Sequence, residues 1–320
     1  MKMFRSGIDV QHPGSAGYKK MVRRFCGKSE RFWELDFARG ICVLLMVFDH
    51  FMYCLFDIMP SLNEMFGTSL FAEAEDLAIS WWLSDLRVNG RLLVITAFFL
   101  LCGISSTLTR GNFRRCIPLA LVAAGISAVT AILEQWGLGM RVLFGVIHML
   151  AAGIFLYAVF DEAAAAVGAL LGKGRASQIA RNLLRLLPGV VGVVLLIWYF
   201  TAAAQFTFTD GQWEIISKIP AQWSEEENIL RATFVYLLNF RYPSGDYFPI
   251  LPWAAVVLAG GIIGRLVYHT DARYAFSRLD GAWNSGFCFL GRHAAVIYIA
   301  HMVVIPVLFA AAAFCVSLFV

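Results

Sequence analysis

Apolar residues in this chain come in runs of about twenty, interrupted by short polar stretches rather than alternating with polar neighbours. Runs of that length suit helices that cross a bilayer and are too long for strands. Seven are found, at 36–57, 88–109, 115–134, 141–160, 187–204, 247–268 and 287–310. The pattern predicts an all-α polytopic membrane bundle of about seven transmembrane helices. Two further segments exceed what a connection needs. Residues 58–87 mix acids with Phe66, Leu70, Phe71, Leu77, Trp81, Trp82 and Leu86, which suits a helix lying in the interface. Residues 205–246 carry Trp213, Trp223, Tyr236, Phe240 and Tyr242. Within them Ile229 to Phe240 is apolar but too short to cross, so it reads as re-entrant or interfacial, either an aromatic anchor or a lid over the bundle.

Composition agrees: 59% of residues are hydrophobic and 15% charged, which excludes a soluble domain. Residues 1–30 form a basic tail without the apolar stretch of a signal peptide, and 31–320 read as a single integral-membrane domain. With seven spans, the tail, Arg110/Arg114/Arg115, Lys173/Arg175/Arg181/Arg185 and Arg265/Arg273/Arg278 share one side, while the acidic clusters Glu73/Glu75/Asp76 and Glu225/Glu226/Glu227 take the other. The basic side is cytoplasmic, so the N-terminus is expected inside and the C-terminus outside. The seven cysteines fall in spans or on the cytoplasmic side, which indicates neither a disulfide framework nor a thiolate metal cluster. The bilayer is the expected surrounding, nucleic acid is not an expected partner, and a homo-oligomer is compatible with the sequence.

The first span is unusual in carrying Asp36, Arg39, Asp49, His50 and Asp57. Ionisable groups in hydrocarbon are costly and mark cavities or working sites. At 100° and about 1.5 Å per residue, Arg39 and His50 lie about 16 Å apart on nearly one face. Asp36 falls a turn before Arg39, and Asp57 two turns after His50. Either Asp49 or Asp57 is placed to hold the His50 imidazole in one tautomer. Depth along the spans adds His148, His301 and Arg91 to the outer half, although His148 read alone could cap a carbonyl and His301 could be an interhelical donor. Arg39 and Arg292, at span entrances, suit a phosphate through their forked guanidinium groups, and Asp36 could equally be the ion-pair partner of Arg39.

These residues carry a family resemblance. Leu35-Asp36-x-x-Arg39-Gly40 followed by Met46-Val47-x-x-His50-Phe51 resembles the first-helix signature of the heparan-α-glucosaminide N-acetyltransferase catalytic-domain family in its prokaryotic form, within the wider transmembrane acyltransferases. Phe98-Phe99-Leu100-Leu101-Cys102-Gly103-Ile104-Ser105 and Phe144-Gly145-Val146-Ile147-His148 resemble its next blocks. Asp246-Tyr247-Phe248-Pro249-Ile250-Leu251-Pro252-Trp253 and Leu290-Gly291-Arg292-His293 through Ile297-Tyr298-Ile299-Ala300-His301 resemble its last two. The similarity covers residues 31 to about 310. Residues 58–87 hold no histidine, so the lumenal histidine associated with the animal enzyme has no counterpart there.

The resemblance implies acetyl transfer from cytoplasmic acetyl-CoA to an extracytoplasmic acceptor, a cell-envelope glycan or a small amine or alcohol, in a prokaryotic cytoplasmic membrane. It makes His50 the general base or a transient acetyl carrier, and Arg39 a contact to CoA or part of a gating ion pair. Asp57 or Asp49 would stand behind His50. Arg91, His148 and His301 would be donors to the developing oxyanion. A proton-coupled transporter or flippase could use the same histidine, aspartate and arginine groups. The paired broken helices of such proteins are missing. A retinal photoreceptor is excluded, because all six lysines lie outside spans. Zinc held by His50, His148 and His301 lacks the close-spaced pair that such sites use, so no metal is expected.

Overall fold

A computed structural model describes residues 32–109, 111–135, 141–172, 174–218, 246–276 and 279–319. The basic tail and the apolar stretch Ile229 to Phe240 lie outside the described residues. The architecture is an all-α bundle, as the apolar runs predict. Among the described residues, six helices are long and apolar enough to cross a membrane: Trp33–Phe66, Asp85–Thr107, Asn112–Ile132, Val146–Ala169, Ile250–Tyr268 and Ala294–Ser317. Arg175–Leu184 and Leu187–Ala203, bent by 43° at a short break, make a seventh if taken as one span.

The described residues gather into two compact units. The first takes the described residues up to Ile95 and those from Arg273 onward. Helix α1 (Trp33–Tyr53) passes through a π turn at Cys54–Ile58 into α2 (Met59–Phe66), so the first helix runs nine residues beyond the expected end of its span. Pro60, the second residue of α2, stands directly after the π turn and does not interrupt the helix. Gly67, at φ 65°, ends it in the left-handed conformation that glycine adopts without cost. The interfacial segment forms two helices rather than one: α2, then α3 (Ala72–Leu83), before α4 (Asp85–Thr107) begins. Asn63 ties the intervening turn, donating to the Leu70 carbonyl and accepting from Thr68 and Leu70. Met52, Cys54, Leu55, Met59, Ala78, Phe309 and Ala313 form the buried core between these helices and the C-terminal one.

The last expected span, 287–310, is two helices. α10 (Ser285–Arg292) ends at His293, and α11 (Ala294–Ser317) follows. α10 crosses α1 closely. A methyl group added at Gly40 would strike the Phe287 carbonyl, and one added at Gly291 would strike the Asp36 carbonyl. Only glycine lets two backbones approach so near, the device by which helices pack in membranes. Trp33, Phe37, Trp283 and Phe287 close the same crossing with edge-on ring contacts of 5.2–5.9 Å.

The second unit is Thr96–Ala272. It holds the rest of α4, α5 (Asn112–Gln135), α6 (Val146–Ala169), α7 (Arg175–Leu184), α8 (Leu187–Trp198) and α9 (Ile250–Ile263). α9 is apolar on every side, and its residues from Pro252 to Leu258 are all buried, as a central helix requires. β1 (Ala204–Thr209) and β2 (Gln212–Ser217) form an antiparallel hairpin within the expected outer segment. Its turn, Asp210-Gly211, has positive φ at both residues, as tight hairpins demand.

Candidate functional site

The polar groups of α1 sort themselves among several partners. Near its start, Arg39 donates to Asp36 at 2.7 Å, one helical turn away. That is the ion pair the sequence allowed, and Asp36, whose backbone carbonyl lies against Gly291, is 7% exposed. Arg292, the last residue of α10, is exposed.

Asp49 does not hold His50. Successive helical residues point about 100° apart, and Asp49 turns instead to α3 and α4. Arg87 donates Nε–H to Oδ1 at 2.9 Å and an Nη2 hydrogen to Oδ2 at 3.0 Å, while Trp81 adds its indole N–H at 3.2 Å. Arg87 is 6% exposed, and its guanidinium lies 3.4 Å from the centroid of the Trp82 ring. Arg91, one turn further along α4 and exposed, adds its charge to the field at Asp49. Arg87, absent from the sequence expectations, is therefore the counter-ion of Asp49. Its signal was an arginine four residues before Arg91, on the same helical face just ahead of the second span.

Asp57 does not reach His50 either. The π turn intervenes and breaks the 3.6-residue period on which that alignment rested. Asp57 is exposed, beside the Tyr53 hydroxyl.

His50 meets His301. Their ring centroids are 4.7 Å apart and the rings are nearly perpendicular, at 83°. Each ring turns Nδ1 toward the carbonyl four residues earlier, His50 to Met46 and His301 to Ile297, both at 3.1 Å. A carbonyl oxygen only accepts, so each Nδ1 carries the hydrogen. Each neutral ring therefore presents Nε2 as a lone pair. For His50 this is the tautomer of a proton acceptor. For His301 it leaves no hydrogen to offer an oxyanion.

His148 belongs to the second unit and is occupied on both sides. Its Nδ1 accepts from the Gly145 N–H at 3.2 Å, which leaves the hydrogen on Nε2, 3.0 Å from the Ser127 hydroxyl. Ser127 in turn donates to the Val142 carbonyl at 2.8 Å. The ring closes the start of α6, a structural task like the capping the sequence allowed. Asp246, quoted only as part of a motif, completes that helix start. Its carboxylate accepts from the Val146 N–H at 3.0 Å, at the positive end of the helix. Phe248 donates its N–H to the Phe144 carbonyl at 2.8 Å, and Phe144 pairs with Tyr247. The third and fourth motif blocks thus meet at one helix terminus. Among the described residues, no group of three or more histidine, cysteine or acidic side chains is arranged to hold a metal ion.

In comparisons with known proteins, a family model described as heparan-alpha-glucosaminide N-acetyltransferase, catalytic, matches residues 31–210 and 177–303. No curated protein and no solved structure matches the chain.

Proposed function

The chain belongs to the heparan-α-glucosaminide N-acetyltransferase catalytic family, a family of transmembrane acetyltransferases, and we propose that it moves an acetyl group from cytoplasmic acetyl-CoA to an extracytoplasmic acceptor. The acceptor is an amine or hydroxyl of a sugar-like envelope molecule, and His50 takes its proton. The observation that carries this reading is the His50 ring, held through Nδ1 at the Met46 carbonyl and set against His301. A membrane-embedded imidazole with a fixed tautomer and a lone pair on Nε2 is the equipment of a general base.

The acceptor nitrogen or oxygen forms the new bond to the acetyl carbon, the carbon–sulfur bond breaks, and its electron pair leaves with the CoA sulfur. The nucleophile's proton passes to His50 Nε2 and then to the departing thiolate. The Asp36–Arg39 pair, on the cytoplasmic side by the positive-inside rule, is positioned to meet CoA phosphates on entry. Arg292 and Arg91 are the other cationic groups of the first unit assigned to donor binding and charge stabilisation. On this reading the protein sits in a prokaryotic cytoplasmic membrane, with its N-terminus inside and its C-terminus outside by the positive-inside rule.

The test is radiolabelled acetyl-CoA given to purified protein with a panel of amino sugars, sugars and simple amines. Replacing His50 by Ala lowers transfer by about a hundredfold or more, the usual worth of a positioned base, while expression and folding persist. Unchanged turnover in that variant removes His50 from the chemistry. Label retained on the wild-type protein without acceptor assigns it the role of acetyl carrier. Neither transfer nor acetyl-CoA binding by the wild type refutes the acetyltransferase reading and favours transport.

A further inference from the structure

His301 has no task in the proton path described above, yet its situation is the least settled of any described histidine. Its side chain is 6% exposed. Nδ1 faces the Ile297 carbonyl, the Tyr298 ring packs 5.4 Å away and the His50 ring covers another side. Nε2 is wholly buried and has no hydrogen-bond partner among the described residues. His148 shows the contrast, with both of its nitrogens engaged. A buried lone pair left unmet costs about 1–3 kcal/mol. In a membrane-embedded bundle, with no bulk water at hand, such a lone pair calls for an N–H or O–H donor.

We propose that His301 Nε2 accepts a hydrogen bond from the acceptor substrate, holding it beside His50 for attack on the acetyl group. The proposal rests on the acetyltransferase reading and adds a substrate-binding residue to it. His301 makes and breaks no covalent bond. It presents one lone pair at a fixed position, because the Ile297 carbonyl fixes its tautomer and α11 fixes its depth. A molecule with an N–H or O–H at that position is held, and one carrying a methyl group there is rejected. The orphaned nitrogen and the edge-on ring of His50 are then two sides of one binding place.

Three substitutions separate this role from a structural one. His301→Phe keeps the ring and its packing on His50 but removes the lone pair. His301→Gln puts an amide oxygen near the position of Nε2. His301→Asn puts an amide N–H near the position of Nδ1, where it can still bond the Ile297 carbonyl. With D-glucosamine and labelled acetyl-CoA, His301→Phe raises the KM for the sugar about tenfold or more, the factor set by one unmade buried hydrogen bond. Acetyl-CoA affinity stays at the wild-type value, and the thermal midpoint in detergent does not fall, since the unmet lone pair is gone. His301→Gln stays within about threefold of wild type, and His301→Asn follows the Phe variant. A Phe variant with unchanged KM overturns the proposal, as does rescue by Asn but not Gln, which would assign the ring to the helix rather than the substrate. If the wild type binds the sugar without transferring to it, calorimetry makes the same comparison, and equal affinity in the Phe variant is again the overturning result. A wild-type protein that neither binds nor acetylates any member of the panel overturns the proposal together with the reading beneath it.

Discussion

Removing Arg87 is the sharpest test of the physical account of the first unit. The Asp49 carboxylate receives three hydrogen bonds, two of them from one guanidinium at 2.9 and 3.0 Å. Arg87→Met keeps much of the aliphatic stem but takes both of those bonds, the charge and the stacking on Trp82. Breaking one side of a buried ion pair costs about 3–5 kcal/mol, most of it from the charge left behind. Cation–π stacking adds about 0.5–2 kcal/mol. Against this, the Asp49 side chain keeps 23% of its exposure, and the indole N–H of Trp81 remains to it, so the stranded carboxylate is partly relieved. The expected loss is therefore about 3 kcal/mol, at the lower end of that range. Replacing both partners, Asp49→Leu with Arg87→Met, removes the stranded charge and restores at least half of the loss. The assay is reversible unfolding in mixed micelles, where the free energies of the two single variants and the double variant form a cycle. A single-variant cost below about 1 kcal/mol, or a double variant no better than Arg87→Met, refutes the claim that this pair fastens α1 to α4.

The crossing of α1 and α10 makes a second test. Gly40→Ala drives a methyl group into the Phe287 carbonyl and is expected to cost about 1–3 kcal/mol of unfolding free energy. Gly90→Ala, where the added methyl meets nothing within 4 Å, is expected to be neutral or to stabilise by up to about 1 kcal/mol in the same assay. At the start of α6, Asp246→Ala removes both the acceptor for Val146 and a charge suited to the helix terminus. It is expected to lower stability by about 1 kcal/mol, with KM values unaltered, and a selective rise in substrate KM would contradict this structural assignment.

The bundle was legible because bilayer thickness dictates helix length and the chain obeys it. Where helices stop was less legible. The last span breaks at His293, and its short first half packs Gly291 against the Asp36 carbonyl, a contact between residues 255 positions apart that no local pattern reveals. The π turn at Cys54–Ile58 likewise escaped a reading that advanced 100° per residue, and the expected alignment of Asp57 with His50 went with it. Asp49 was assigned to its sequence neighbour, although adjacent helical residues diverge and its partner lies on another helix. The hairpin was readable from Asp210-Gly211 between alternating residues, but the aromatic content of the segment drew attention elsewhere. The meeting of His50 and His301 followed from depth alone. Their matched tautomers did not, because they depend on the direction of each ring.

The first unit is assembled from segments that leave the ribosome far apart in time. α1 enters the bilayer early, carrying two aspartates, an arginine and a histidine, whereas His301 and the glycine that seats α10 are made more than two hundred residues later. Throughout that interval the nascent first helix holds its charges without the backbone that will cover Asp36 or the ring that will face His50. Arg87, only 38 residues behind Asp49, is the early relief, neutralising that aspartate while the rest of the chain is still being translated. A message truncated before α10 yields a protein with most of its spans and half of its histidine pair, material for quality-control proteases rather than for catalysis. On the proposed mechanism, acetyl transfer waits for the segment that carries Gly291 and His301.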